Sequence, residues 1–67
     1  MWTIEDLIVG EIINTTSKTR AISEAKRRVK YHNSEWYYTH RGKHHNQHAV
    51  FNVDDDKKTI TIEREGQ

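Results

Sequence analysis

Four histidines, His40, His44, His45 and His48, fall within nine residues in the order His-x3-His-His-x2-His. Imidazole titrates near neutral pH and ligates zinc, copper or nickel, so such a cluster could move protons or hold a metal. The spacing fits no established zinc pattern and the chain has no cysteine, so no specific metal site is expected. Acid–base work is the chemistry left to these residues, for example cleavage of RNA by 2′-OH attack. The plain alternative is a set of polar loop histidines. Asp54-Asp55-Asp56 could suggest calcium, but Thr59 stands where an EF-hand needs its glycine, and a solvated hairpin turn is the plain reading. No glycine-rich phosphate loop or nucleophile elbow is present, and no cofactor is expected.

The second constellation is charge interleaved with rings. Lys18 to His48 holds eight of the eleven Lys and Arg against only Glu24 and Glu35, a net +6 in a chain of +1. It also holds all five histidines and Tyr31, Trp36, Tyr37 and Tyr38. Cations near phosphate release counterions and bind without sequence preference, and exposed rings stack on unpaired bases. Arg20, Lys26, Arg27, Lys30, Arg41 and Lys43 are the candidate phosphate contacts, with Tyr31 and Tyr37 as stacking rings where exposed. The competing reading is a solvated helix face, with Glu24 pairing to Arg27 and Arg28 within one turn and Trp36 in the core.

The elements that must position these groups are legible to different degrees. Residues 2–14 read two ways. As a helix, Thr3 caps with Asp6 three residues on, and Ile4, Leu7, Ile8 and Ile12 share a face. As a strand, the β-branched run through Ile12 and Ile13 fits, and Gly10 weakens a helix. Cap and periodicity together favour the helix. Residues 14–17 are a turn. Residues 18–32 form a helix with Ala21, Ile22, Ala25, Val29 and His32 on its inner side. Glu35 to His40 reads as a strand with Trp36, Tyr38 and His40 on one face, residues 41–47 as a loop, residues 48–53 as a strand, residues 54–58 as a turn and residues 59–64 as a third strand. The expected fold is α+β: an N-terminal helix or helices on a three-stranded antiparallel meander, with Phe51, Val53, Ile60 and Ile62 in the core.

Sixty-seven residues make a single small domain, 1–67, that buries about 60% of the surface its unfolded chain exposes. Hydrophobic residues are 33%, so the core is thin and a homodimer or bound partner would supplement it. No apolar leader or membrane-length run is visible, which points to a cytoplasmic protein with no membrane partner.

Trp36-Tyr37-Tyr38-Thr39-His40-Arg41-Gly42-Lys43-His44-His45, followed by Phe51, an Asp turn and Lys58-Thr59-Ile60-Thr61-Ile62, resembles the HicA-type messenger-RNA interferase toxins. These share the double-stranded-RNA-binding-domain fold of helix, three antiparallel strands and helix. The likeness covers roughly residues 20–62. It implies a catalytic histidine, His44 if aligned by the glycine or His48 if aligned by distance to Phe51. Charge and resemblance together point to a nucleic-acid-binding module, RNA rather than DNA, and its ribonuclease-toxin version adds His44 or His48 as acid–base. The alternative is a phage or mobile-element regulator that binds and inhibits a host protein.

Overall fold

Alternation, not helical spacing, governs the first fifteen residues. Trp2, Ile4 and Asp6 are buried while Thr3 and Glu5 are half-exposed, a period of two that only an extended chain gives. The computed structural model describes residues 1–41 and 47–66, of Arg41 the backbone alone. Its elements run β1 (Trp2–Asp6), β2 (Glu11–Thr15), α1 (Lys18–His32), α2 (Glu35–Arg41), β3 (Ala49–Asp54) and β4 (Thr59–Arg64). The four strands form one mixed sheet in the order β2-β1-β4-β3. β1 pairs antiparallel with β2 and parallel with β4, and β4 pairs antiparallel with β3.

The chain is therefore α+β, but the meander with a helical N-terminus is corrected on two counts. The N-terminal segment is a hairpin, the strand alternative of the two, and it adds β1 and β2 to the sheet. Its turn is made by Asp6, whose Oδ1 accepts from the Ile8 and Val9 N–H groups at 3.1 and 3.4 Å, and by Gly10 at φ +74°. The apparent capping carboxylate thus closes a hairpin turn. The expected strand 35–40 is α2 instead. Ser34 starts it, its Oγ accepting from the Tyr37 N–H at 3.0 Å, with Glu35 at the positive end of the helix.

α1 forms where expected. Ser17 caps it by accepting from the Arg20 N–H at 3.2 Å, and Ala21 and Ala25 bring it down on the sheet. Ile4, Ile60 and Ile62 are fully buried beneath it with Trp2, and Ile13, Ile22, Val29 and Phe51 pack around them. Val53, expected inside, is exposed at the outer end of β3. Asn33 ends α1 and joins it to the sheet: its Nδ2 donates to the Ala49 carbonyl at 3.2 Å and its Oδ1 accepts from the Ala49 N–H at 2.7 Å.

Strand register sorts the sheet's two faces. One, carrying Ile4, Asp6, Ile13, Phe51, Ile60 and Ile62, meets α1. The other presents Thr3, Glu5, Ile12, Asn14, Asn52, Asp54, Thr59, Thr61 and Glu63. Among the described residues this open face holds carboxylates and no Lys or Arg. Also among the described residues, no helix is long and apolar enough to cross a membrane.

Candidate functional site

Asp6 ends β1 directly beneath the C-terminal half of α1, and the local chemistry is arranged about its carboxylate. Arg28 and His32, one helical turn apart, both reach its Oδ2. The Arg28 Nη1 donates at 2.8 Å and the His32 Nε2 lies at 2.8 Å. Glu11, paired with Asp6 across the hairpin, accepts from the same Arg28 Nη1 at 2.8 Å. Glu24, one turn earlier on α1, accepts from the Arg28 Nε at 3.1 Å and also holds Arg27.

Asp6 has no exposed surface, so its charge stands only because it is compensated. Burial pushes the carboxyl up, but the hydrogen bonds from His32 and Arg28, with those from the turn, outweigh this and hold it below the usual carboxylate value. Burial likewise works against the Arg28 charge, and Glu11, Asp6 and Glu24 more than offset it, so its pKa lies well above the ordinary guanidinium value. Arg27, then Arg28, lower the Glu24 carboxyl despite partial burial.

An ionised carboxylate can only accept, so the His32 Nε2 carries a proton and donates it to Asp6. Nδ1 is buried with no hydrogen-bond partner among the described residues. The ring is held edge-on by Tyr37, centroids 4.8 Å apart, and flanked by Tyr31 at 6.0 Å. A carboxylate–imidazole pair of this kind fixes a tautomer as acid–base sites do, yet the closed Nδ1 suits positioning rather than proton exchange with solvent. Beside it opens a cleft of about 370 Å³ lined by Val9, Glu11, Arg27, Arg28, Tyr31, His32 and Tyr37. Sequence reading placed His32 on the inner face of α1. It missed the network because Asp6 and Glu11 had been assigned to a helix.

The residues expected to bind or react separate into several places. Arg20, Lys26, Arg27 and Lys30 are exposed on α1, with Arg27 and Arg20 on the flank that borders β2. Among the described residues Arg20, Lys26 and Lys30 have no carboxylate partner, whereas Arg27 shares Glu24 with Arg28. Lys18 is tied to Asp55 at 2.6 Å. Tyr31 is 38% exposed at the end of this ridge, but Tyr37 is only 3% exposed and is a core ring. Trp36, expected in the core, is 58% exposed and stacks on His40 at 4.6 Å and 10°. The pair sits four apart on a helix, and the four-residue spacing was the available signal. Tyr38 turns the other way, its hydroxyl accepting from the Arg64 Nη1. His48 is exposed just ahead of β3, its carbonyl accepting from the Glu65 N–H at 2.7 Å. Lys43, His44 and His45 lie outside the described residues, as does the Arg41 side chain. Among the described residues no three His, Asp or Glu side chains converge as metal ligands.

The segment carrying the likeness to the interferase toxins begins in α2, and the order of elements is strand, strand, helix, helix, strand, strand. No family model, no curated protein and no solved structure matches this chain.

Proposed function

We propose that the protein is a small nucleic-acid-binding module that holds single-stranded RNA along the outer ridge of α1. One observation carries the reading: Arg20, Lys26 and Lys30 are exposed along α1 and free of described carboxylate partners, and the helix ends at the exposed ring of Tyr31, beside that of Trp36. The acids that could have cancelled this ridge are engaged elsewhere, Asp6 and Glu11 on Arg28 and Asp55 on Lys18. Cations spaced along a helix meet successive phosphates, and the rings offer sequence-tolerant stacking to unpaired bases. Tyr31 and Trp36, with centroids 5.8 Å apart, form the stacking end, and Trp36 takes the place that Tyr37 cannot fill. Arg41 and Lys43 extend the same proposal. A ribonuclease version would draw on His44 or His48, and nothing in the geometry around His48 adds to it.

The test is binding of a short labelled oligouridylate at several salt concentrations. The Lys26→Glu/Lys30→Glu double variant is expected to fold normally and to bind at least about tenfold more weakly, roughly 1.4 kcal/mol. Affinity that does not fall between low and moderate salt eliminates the reading.

A protein-binding regulator is the second reading, favoured by Leu7 and Ile12. Both are exposed at the hairpin end of the sheet, away from the basic ridge. Recovery of one stoichiometric protein partner after nuclease treatment would favour it over RNA.

A further inference from the structure

β2 and β3 are the outer strands of the sheet, and the fold guards only one of them. An edge strand leaves alternate residues with unbonded N–H and C=O groups, and a lysine, a proline, a bulge or a covering segment usually blocks them. On β3 the outward residues are Ala49, Phe51 and Val53, because the Glu65 N–H donates to the His48 carbonyl and sets the alternation. The side-chain amide of Asn33 takes both outward groups of Ala49, so β3 is blocked where it starts. β2 has no such cover. The Thr3 and Leu7 N–H groups donate to the Lys58 and Ile62 carbonyls, so Trp2, Ile4 and Asp6 face β2 and bond Thr15, Ile13 and Glu11. Ile12 and Asn14 are left pointing outward, and among the described residues nothing bonds their main-chain groups.

The strand Glu11-Ile12-Ile13-Asn14-Thr15 has neither lysine nor proline and pairs with β1 residue by residue over its whole length. Ile12 is 70% exposed on it. The strand also complements itself. Turned end for end about a two-fold axis through Ile13, it sets Ile12 opposite Asn14 and Glu11 opposite Thr15. Every outward N–H and carbonyl of both copies then finds a partner. A register shifted by two residues runs either into the turn at Gly10, φ +74°, or toward the start of α1. Charge fits the same axis. The flank of α1 that borders β2 carries Arg20, Arg27 and Arg28 against Glu24, with Glu11 facing them from β2, so it is close to neutral. Arg27 and Arg28 are held by these carboxylates. Arg20 has no carboxylate partner among the described residues, and it borders the cleft at the Thr15 end of β2. The two-fold brings that end against Glu11 of the other copy, whose Oε1 is engaged by Arg28 while its Oε2 bonds nothing among the described residues.

We propose that β2 pairs with β2 of a second copy, antiparallel about Ile13, joining two sheets into one with both α1 helices on the same side. Ile12 lies against Asn14 of the second copy on the open face, and a Glu11–Arg20 ion pair closes each end on the helix face. The centred register and the reciprocal ion pairs are properties of this strand with itself, which favours a second copy over a foreign strand. A nucleic acid has no repeating N–H and C=O groups and cannot extend the ladder. Five paired residues a side make a small interface, so the association is weak. The inference does not rest on RNA binding, since Lys26 and Lys30 line neither of the two clefts beside β2. At the low chain concentrations of an oligonucleotide titration the pair is dissociated, and Arg20 belongs to the ridge.

The experiment is made on the free chain without RNA, so its outcome is independent of the ridge. Sedimentation equilibrium is expected to show monomer and dimer with a Kd below about 1 mM. Amide exchange followed at rising chain concentration should slow at Ile12 and Asn14 by at least about tenfold as the dimer saturates, and less at Glu11, Ile13 and Thr15, which β1 already protects. Ile12→Lys puts a guard on an exposed position and should abolish the dimer while the chain stays folded. Arg20→Glu should weaken the dimer at least about tenfold, and Lys30→Glu should not weaken it. The proposal is overturned if the chain remains monomeric up to about 1 mM, or if Ile12→Lys or Arg20→Glu dimerises as tightly as the parent chain. It is also overturned if Phe51 and Val53 slow together with Ile12 and Asn14 and species larger than a dimer form, which assigns the contact to β2 against β3.

Discussion

Asp6 shows how one side chain can serve both fold and site. Its Oδ1 closes the first hairpin and its Oδ2 anchors Arg28 and His32. Removing one member of a buried charge network leaves the others uncompensated, at a cost of about 3–5 kcal/mol. Asp6→Asn is therefore expected to lower the urea midpoint by an amount that takes up much of the stability of so small a domain. Replacing Asp6, Arg28 and His32 together by apolar residues of similar volume should cost far less. A triple variant as unstable as Asp6→Asn would refute this account of the network. The same carboxyl sets an acid limit. Its folded pKa lies below its unfolded value, so its contribution is complete above the ordinary carboxylate range near about 4 and is lost as pH falls through the folded value. Glu24 adds in the same direction. Stability measured from pH 6 downward should stay level and then fall below about pH 4, and Asp6→Asn should show a shallower fall. An equal slope in the variant would assign the acid sensitivity elsewhere.

Among the elements, α1 and β4 were legible in the sequence because local signals agreed with the tertiary outcome. Ser17 could cap only what followed it, and Thr59 to Arg64 alternates so strictly that the sheet had one way to take it. The hairpin and α2 were misread because a residue near each carried two meanings. Thr3 and Asp6 have capping-box spacing, yet Asp6 turns its oxygen to the Ile8 and Val9 N–H groups, and the apolar run Leu7-Ile8-Val9 forms a turn instead of a strand or helix. In α2, Trp36-Tyr37-Tyr38 has strand-forming side chains, but Ser34 and Glu35 supply a helix start, and burial of Tyr37 with exposure of Trp36 fits helical spacing. Of the site, the basic ridge was legible from spacing alone. The Asp6 network was not, because it needs β1 and α1 together. Gly10 tests the hairpin assignment. Its φ of +74° disfavours any side chain, while a Cβ there would meet nothing within 4 Å. Gly10→Ala should thus destabilise by backbone strain alone, about 1 kcal/mol, without a change in the core. A neutral result in chemical denaturation would mean the turn does not require that conformation.

At the scale of the molecule, the fold separates charges that the sequence interleaves. The outer side of α1 is cationic, the open side of the sheet carries Glu5, Asp54 and Glu63, and Arg28 between them is neutralised by three carboxylates. A net charge of +1 therefore describes neither face. Long-range attraction of a polyanion depends on the local field, which is screened over about 8 Å at physiological salt, so the face away from α1 should contribute little. If RNA lies on the ridge, each cation meeting a phosphate contributes about 0.7 to the slope of log K against log salt. Arg20, Lys26 and Lys30 together then account for a slope near −2, and each charge-removing substitution should reduce it by about 0.7. Glu5→Gln and Glu63→Gln on the opposite face should leave both slope and affinity almost unchanged. Trp36→Ala should instead weaken binding by about 1–3 kcal/mol with the slope intact, because stacking releases no counterions. Equal effects from the two faces would mean that the polyanion responds to total charge and not to the surface the fold creates.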